Sequence, residues 1–251
     1  MSSSEAGLLA SACVFGAALL GGFLRRALPK EHLSQESMDA VKLAMALVAT
    51  MTALVLGLLV ASAKDSYDAQ RSEVIQLAAK VSFLDRVLAN YGQESAAARA
   101  VLRLGVERAI ARIWPQDKTR HAQLDPEPSR AEPLYELIQT LSPHNDEQRA
   151  LKTQALTMIA EIAQIRWLLL EQTGSAISTL LLLVVVFWLA VIFLSFGLFA
   201  PSNGTVIAAL MISAFSVSCA VLLILELDRP FDGFIQISSQ PMRTALQHLG
   251  Q

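Results

Sequence analysis

The densest chemical signal in the sequence is a cluster of charged residues that directly follows an apolar run near the C-terminus. The cluster, here called the C-terminal motif, comprises Glu226, Asp228, Arg229, Pro230, Phe231, Asp232 and Gly233. Unpaired charges at a membrane boundary are costly, and a neighbouring counter-charge offsets that cost. Because Pro230 cannot continue a regular helix and Asp232-Gly233 is a turn-forming pair, we expect the chain to bend there. The motif therefore predicts an elbow whose acids and arginine clip the last apolar helix to other helices or to a neighbouring subunit. A solvated interfacial flank is the alternative.

A second pattern is a stripe of small residues along the apolar run at residues 43–63. Small side chains recur every three or four positions, at Ala46, Thr50, Ala53, Gly57 and Ala61. A neighbouring bulky stripe comprises Leu43, Leu47, Met51, Leu54 and Leu58. Small faces let helix backbones approach closely in lipid, so the small stripe predicts either helix packing or the lining of a pore. Lys42 and Lys64, at the two ends of the run, are candidate pore-entrance residues that would favour anions, or else ordinary interfacial anchors.

Residues with catalytic or metal-binding chemistry are sparse. No ligand partner at metal-binding spacing accompanies the four histidines, His32, His121, His144 and His248. Cys13 and Cys219 lie inside apolar runs, where cysteine behaves as a small hydrophobic residue. The net charge is −2 and the basic residues are interspersed with acids, so the charge pattern does not point to nucleic acid. We expect no enzymatic activity, no catalytic residues, no cofactor, no metal site and no nucleic-acid partner.

Four apolar runs are long enough to cross a bilayer, which takes about 20 residues of helix. They cover residues 7–24, 43–63, 176–200 and 205–225. None has a charge in its middle, which argues against a proton-driven pump or a buried ion relay. The sequence PSNG at 201–204 joins the last two runs and predicts a tight helical hairpin. The chain is therefore predicted to be an all-α membrane protein with four transmembrane helices and a helical extramembrane insert between spans 2 and 3.

The insert has a helical periodicity of its own. Apolar residues recur at alternating spacings of three and four from Val74 to Tyr91, so the second span is predicted to continue as one helix of about 50 residues. Gly92 supplies its natural end. Further helices are predicted at residues 95–114 and around 134–141, separated by a proline-containing loop at 115–133.

Asn145 followed three residues later by Gln148 is a capping-box pattern that predicts the start of another helix. An apolar seam at residues 151–169 leads from it towards the third span, and Gly174 is the one sign of a break. The predicted domain organisation is residues 1–63 for spans 1 and 2, 64–175 for the cytoplasmic insert, 176–225 for spans 3 and 4, and 226–251 for the elbow and a short helix.

Four spans place the two termini and the insert on the same side of the membrane. Basic residues flank the spans on both sides, with a small excess on the side of the insert and a local concentration at Arg25, Arg26 and Lys30 on the other. The positive-inside rule therefore favours cytoplasmic termini and a cytoplasmic insert.

Residues 225–246, "LELDRPFDGFIQISSQPMRTAL", closely resemble the C-terminal motif of a widespread bacterial family of four-span membrane proteins described as bestrophin-like. The residues that match the family motif are Glu226, Leu227, Asp228, Pro230, Phe231 and Gly233, with Arg229 at its usual basic position. The layout of two spans, a helical insert and a tight pair of spans also matches, so the resemblance covers nearly the whole chain. It implies a homo-oligomer, a pentamer as in bestrophin channels, that conducts ions across the bacterial inner membrane.

Two functions remain open. The first is a homo-oligomeric ion channel with span 2 around a central pore, although bestrophins narrow at bulky apolar residues on that span and here either stripe is free to face the axis. The second is a membrane-anchored interaction or stress-signalling module without conductance, in which the insert recruits a partner. The lipid bilayer is a partner in both, and ions in the first.

Overall fold

The structure is a computed structural model that describes residues 3–27, 35–115, 122, 132–172, 178–200 and 203–250. Those ranges are helical and contain no strand, which confirms the all-α class. The helices are α1 (Ser3–Ala27), α2 (Gln35–Tyr91), α3 (Ala96–Ile113), α4 (Glu132–Gln139), α5 (Asp146–Glu171), α6 (Thr179–Phe199), α7 (Gly204–Leu227) and α8 (Gln240–His248).

The chain divides into two compact units. The membrane unit consists of Met1–Ser66 and Ser175–Asp228, and the helical unit consists of Tyr67–Gly174 and Arg229–Gln251. Within the described residues, four helices have the length and apolar composition to cross a bilayer, at Gly7–Ala27, Met38–Tyr91, Leu180–Phe199 and Gly204–Leu227. The four predicted spans are therefore confirmed, and the chain is a membrane protein.

Helix α2 contributes to both units and runs without interruption from Gln35 to Tyr91, as the sequence periodicity predicts. Its apolar run at residues 43–63 is the part long enough to cross the bilayer, and the residues beyond carry the seam that packs in the helical unit. Gly92 ends the helix with a φ of 118°, a backbone conformation that residues with a Cβ rarely adopt. The chain then reverses through the short turn Gln93–Ser95 into α3.

In the membrane unit, α1 packs against both α6 and α7 and does so more extensively than those two helices pack against each other. The closest approach is between α1 and α6. A Cβ added at Gly21 would lie 2.1 Å from the carbonyl oxygen of Leu194, and one added at Gly197 would lie 2.0 Å from that of Ala18. The last two spans are thus consecutive helices that each pack more extensively against α1 than against each other. In the linking tetrapeptide, Asn203 caps α7 by accepting a hydrogen bond from Val206 N at 2.9 Å, whereas Pro201 and Ser202 lie outside the described residues.

Within the described residues, the hydrophobic core of the helical unit is formed by α2, α3, α4, α5, α8 and the elbow. The predicted seams are confirmed, because their residues are buried or half-buried: Val74, Leu77, Val81, Leu84, Leu88 and Tyr91 on α2, and Leu151, Ala155, Met158, Ile162, Ile165 and Leu169 on α5. Helix α3 buries Ala98, Leu102, Val106 and Ile110 at four-residue spacing. The predicted short helix is α4, which starts at Glu132.

The start of α5 is capped as the sequence predicts, with one change. Asn145 Oδ1 accepts a hydrogen bond from Gln148 N at 2.7 Å. Gln148 Oε1 accepts from His144 N at 2.7 Å, one residue before the position that a capping box uses, and Gln148 Nε2 donates to Tyr91 O at 3.0 Å. The cap therefore also ties α5 to the end of α2. The helix ends at Glu171, and Gly174, the predicted break, lies outside the described residues.

A buried ion pair, which the sequence does not reveal, holds the C-terminus in place. Asp85 is 5% exposed, and its two oxygens accept hydrogen bonds from Arg99 at 2.8 and 2.9 Å. Asp85 Oδ2 also accepts from Gly250 N at 3.2 Å, and Arg103 Nη1 donates to Leu249 O at 3.0 Å. Burial alone would raise the pKa of Asp85, but the hydrogen bonds from Arg99 and Gly250 and the nearby guanidinium charges hold that pKa below its usual value.

Candidate functional site

The membrane part of α2 presents three chemically different faces. One face is buried within the membrane unit, where Thr52, Leu59 and Ala63 are each at most 3% exposed. At about 100° per residue, the small stripe and the bulky stripe are centred roughly 80° apart, and each lies roughly 140° from the buried face. The two stripes therefore flank the direction opposite to the chain's own packing.

All five small-stripe residues are exposed within the single chain: Ala46, Thr50, Ala53, Gly57 and Ala61. A Cβ added at Gly57 would meet no atom within 4 Å. The Thr50 hydroxyl donates to Ala46 O at 2.9 Å, which satisfies its proton within the helix and leaves its oxygen able to accept from a ligand or water. No other part of the described chain therefore uses the small stripe for packing.

The bulky stripe is also exposed, and its five residues range from 53% exposed at Met51 to 77% at Leu43. In a single chain, both stripes are therefore available to lipid, to another copy of the chain or to a central axis. The choice between them as a pore lining stays a prediction.

The two candidate entrance lysines both lie on exposed turns of α2. Lys42 Nζ pairs with Asp39 Oδ1 at 3.3 Å, and both side chains are more than half exposed. Lys64 is exposed and is followed directly by exposed Asp65. Lys42 thus pairs with an acid on the helix surface, and Lys64 has an acid next to it in the sequence.

The C-terminal motif spans the boundary between the two units. In the membrane unit, α7 ends at Leu227, and Asp228 N donates to Ile224 O at 3.1 Å as the last helical bond. Glu226, on the last turn of α7, is only 4% exposed. The acid nearest the apolar run is therefore a buried group, unlike a residue of a solvated flank.

In the helical unit, the motif forms the bend that Pro230 predicts. Asp232 N donates to Arg229 O at 3.2 Å, and Ile237 N donates to Pro230 O at 2.7 Å, which closes a loop. Gly233 has a φ of 116°, in the region that favours glycine. The chain therefore turns at the motif, and the turn has hydrogen bonds of its own.

An aromatic side chain, rather than charge alone, anchors the elbow. Phe231 is 5% exposed and meets Trp114 edge-on, with ring centroids 5.9 Å apart. Trp114 Nε1 donates to Ile237 O at 2.7 Å, and Asp232 Oδ1 accepts from Ala122 N at 3.0 Å. Sequence reasoning assigned this role to the acids and Arg229, and it missed Trp114 and Ile237. The Pro-Phe pair at the bend was the signal that could have indicated an apolar anchor.

Two of the four histidines lie in described parts of the chain. His144 Nε2 lies 3.0 Å from Glu94 Oε1 on the surface, and His248 is exposed at the end of α8. His32 and His121 lie outside the described residues. Within the described residues no group of three metal-binding side chains comes together.

A family model described as "Bestrophin-like domain" matches residues 12–242. That range begins within the first span and includes the other three spans, the insert and residues 226–233. No curated protein and no solved structure matches the chain.

Proposed function

The chain belongs to the bestrophin-like family, and on that premise we propose that it is the subunit of a homo-oligomeric ion channel in which the membrane part of α2 surrounds the central pore. The observation that carries the proposal is the exposed small stripe of α2. It offers Thr50, Gly57 and three alanines to a neighbour while the opposite face of the same helix is buried.

A small stripe gives a lipid-facing helix no advantage, because acyl chains fill the space around bulky and small side chains alike. Around a shared axis, however, small residues leave room for ions, and the free lone pairs of a threonine hydroxyl can contact them. The bulky stripe, roughly 80° away, then faces the adjacent subunit or the lipid. We therefore place the small stripe on the axis, in a ring of five subunits as in bestrophin channels.

Accessibility of single cysteines to a charged thiol reagent tests this placement. The starting variant replaces the two native cysteines, Cys13 and Cys219, with alanine. Single cysteines are then introduced by Thr50→Cys and Gly57→Cys on the small stripe and by Leu54→Cys on the bulky stripe. Flux is measured in liposomes before and after the membrane-impermeant reagent is added.

We expect the reagent to block flux through the Thr50→Cys and Gly57→Cys proteins and to leave the Leu54→Cys protein unchanged. The reverse pattern would place the bulky stripe on the axis. A well-assembled oligomer without any ion flux would contradict the channel itself.

A second candidate function has one observation in its favour. The helical unit leaves large apolar side chains exposed on its surface, namely Ile75 on α2, Phe83 on α2 and Leu104 on α3. Such residues suit a membrane-anchored interaction or signalling module that recruits a partner protein. Deleting residues 92–144 would then abolish function while the membrane unit still assembles, and intact oligomers would not conduct.

We further propose the bacterial inner membrane as the location, with both termini and the helical unit in the cytoplasm. No catalytic role is proposed. Reporter fusions at each terminus test the orientation, since a cytoplasm-dependent reporter should be active at both ends and a periplasm-dependent one at neither.

A further inference from the structure

The helical unit exposes a large apolar side chain on α5 and an apolar groove beside α2. On α5, Trp167 is 57% exposed and Leu168 is 44% exposed. On α2, Ile75 is 47% exposed at the edge of a groove of about 520 Å³ between α2 and α8. The floor of the groove is formed by four buried side chains, Val74, Ala78, Ile237 and Ala245. A projecting tryptophan and an apolar groove are complementary in shape and polarity, so their burial against each other would be favourable.

These two features lie on different sides of the helical unit. Lys80 Nζ pairs with Glu161 on α5 at 2.6 Å, and Glu73 Oε1 accepts from Gln172 Nε2, just after α5, at 2.7 Å. On α2, the groove is lined by Arg71, Ile75 and Ser82 among others. At about 100° per residue, these three residues point roughly 170° away from Glu73 and Lys80. The tryptophan on α5 and the groove therefore do not meet within one chain, whereas those of two copies can.

The two contacts between α2 and α5 also fix the level of each feature along α2. Because they join later positions of α5 to earlier positions of α2, the helices run antiparallel. Trp167 is then level with Ile75, and Glu171 is level with Arg71, each to within about one helical turn. Copies in one bilayer share one height, because α2 crosses the bilayer and continues without a break into the helical unit. A contact between helical units therefore joins residues that are level with each other.

The charges at this level are complementary. Arg71 lines the groove, and Glu171 lies one turn after Trp167 on α5, and both side chains are exposed. Within the part of the chain that the structure describes, neither of the two makes an ion pair. When Trp167 of one copy enters the groove of another, the Glu171 carboxylate of the first copy approaches the Arg71 guanidinium of the second.

We propose that the helical units of neighbouring copies dock through this contact, with Trp167 and Leu168 of one copy in the α2–α8 groove of the next and Glu171 beside Arg71. The contact joins two different faces of the same chain, and around an axis normal to the membrane such a contact generates a ring. The inference rests on the homo-oligomer of the proposed function. It does not depend on conduction or on which stripe of α2 faces the pore.

Cross-linking between introduced cysteines tests the contact in the full-length protein. Arg71→Cys and Glu171→Cys are combined in a chain whose Cys13 and Cys219 are replaced by alanine, and a short bis-maleimide is added to membrane vesicles. We expect a ladder of covalent dimers, trimers and larger species up to the complete ring. Chains that carry either introduced cysteine alone should not cross-link, because the contact joins two different faces.

The matched control combines Arg71→Cys with Thr157→Cys. Thr157 is exposed on α5 and lies about four helical turns, or roughly 21 Å, before Glu171. This pair should cross-link little, and an equal yield for the two pairs would overturn the contact. Oligomers that do not cross-link at all would also overturn it and would leave the groove to a different protein. Dimers from a single introduced cysteine would indicate a symmetric contact and would contradict the proposal.

Trp167→Ala tests the apolar part of the contact. Dissociation of the detergent-solubilised oligomer on dilution should shift to a concentration at least about tenfold higher, since a tryptophan buried at an interface is a typical hot spot. Leu104→Ala is the control, because Leu104 is an exposed apolar residue on α3 that does not line the groove. Its dissociation should match that of the native protein. An unchanged midpoint for Trp167→Ala would contradict the proposal.

Charge reversal separates the contact from a folding defect. Arg71→Glu and Glu171→Arg should each weaken assembly, and the double reversal should restore it, which a folding defect in either variant would not allow. Ion flux is measured on the same preparations. An oligomer that conducts without forming the cross-link contradicts this contact alone, and a cross-linked ring without flux contradicts the channel alone.

Discussion

Phe231 is the residue in the C-terminal motif whose burial has the clearest consequence for stability. It is 5% exposed against Trp114, whereas Phe234, three residues later in the same loop, is 85% exposed. Phe231→Ala should therefore destabilise the helical unit by about 3–5 kcal/mol, the usual cost of removing a buried phenylalanine. Chemical unfolding followed by circular dichroism measures the change.

Phe234→Ala is the matched control for that measurement, since it removes the same side chain from the same loop. We expect a change within about 0.5 kcal/mol, as for surface substitutions. Equal losses in the two variants would mean that the elbow depends on backbone turns and not on the Phe231–Trp114 contact.

Asp85 predicts a dependence of stability on pH. Because its pKa is lowered in the folded chain, the unfolded chain binds a proton there more readily, and the ion pair contributes fully above the ordinary aspartate pKa of about 3.9. The stabilisation by the ion pair is lost as the pH falls from the ordinary aspartate pKa to below the lowered pKa that Asp85 has in the folded chain. The difference in unfolding free energy between the native chain and Asp85→Asn should be large at neutral pH and shrink below about pH 4.

Asp146→Asn serves as the comparison, because Asp146 also pairs with an arginine but is 93% exposed. Exposed pairs contribute little, so its difference from the native chain should be small at every pH. If the difference in unfolding free energy between the native chain and Asp85→Asn stayed constant below about pH 4, the charge of the Asp85 carboxylate would not be what stabilises its contact with Arg99.

Residue-level prediction from the sequence succeeded where the partner is local and failed where it is distant. The Asn145 cap is predictable, because its partner lies three residues along the chain. The Asp85–Arg99 pair spans 14 positions and forms only because Gly92 lets α3 fold back on α2. Trp114 meets Phe231 across more than 100 positions, and no periodicity indicates such a contact.

At the scale of helices, the packing of α1 on α6 depends on individual glycines. Gly21 contacts the backbone of α6 so closely that a Cβ would overlap Leu194 O, whereas a Cβ added at Gly16 on the same helix meets nothing within 4 Å. Alanine has the higher helix propensity, so Gly16→Ala should leave the melting temperature unchanged or raise it. Gly21→Ala should lower it, because overpacking costs about 1–3 kcal/mol.

Thermal unfolding of the two variants in the same detergent measures this difference. If the variants melt alike, α1 and α6 do not depend on close backbone approach. The sequence shows that span 1 is rich in small residues, but it does not distinguish Gly16 from Gly21. Only the orientation of α1 in the structure shows which glycine faces α6.

The helices themselves were predictable, because their apolar residues repeat at regular spacing. The uninterrupted α2 and the seams of α2 and α5 follow directly from that repeat. The same repeat does not predict which helix each membrane span packs against, because all four spans are apolar around most of their circumference. The sequence therefore suggested a hairpin of the last two spans, whereas both pack more extensively against α1 than against each other.

At the scale of the whole molecule, the described part of one chain leaves both stripes of α2 exposed, so the function depends on what other copies cover. The sequence left two roles open for the small stripe, helix packing and pore lining. A bulky substitution separates them, because a phenylalanine at a helix contact prevents assembly, whereas one that faces a pore obstructs it and leaves the subunits together.

We expect Gly57→Phe to form oligomers of the same mass as the native protein and to conduct at least about tenfold less, since a hydrophobic ring of side chains closes a pore by excluding water. Leu58→Phe, the adjacent residue on the bulky stripe, is the control and should retain most of the flux. Mass measurement of the purified particles and flux in liposomes are made on the same preparations. If the Gly57→Phe protein were monomeric, the small stripe would be a subunit contact. The bulky stripe would then be the face that lines the proposed pore.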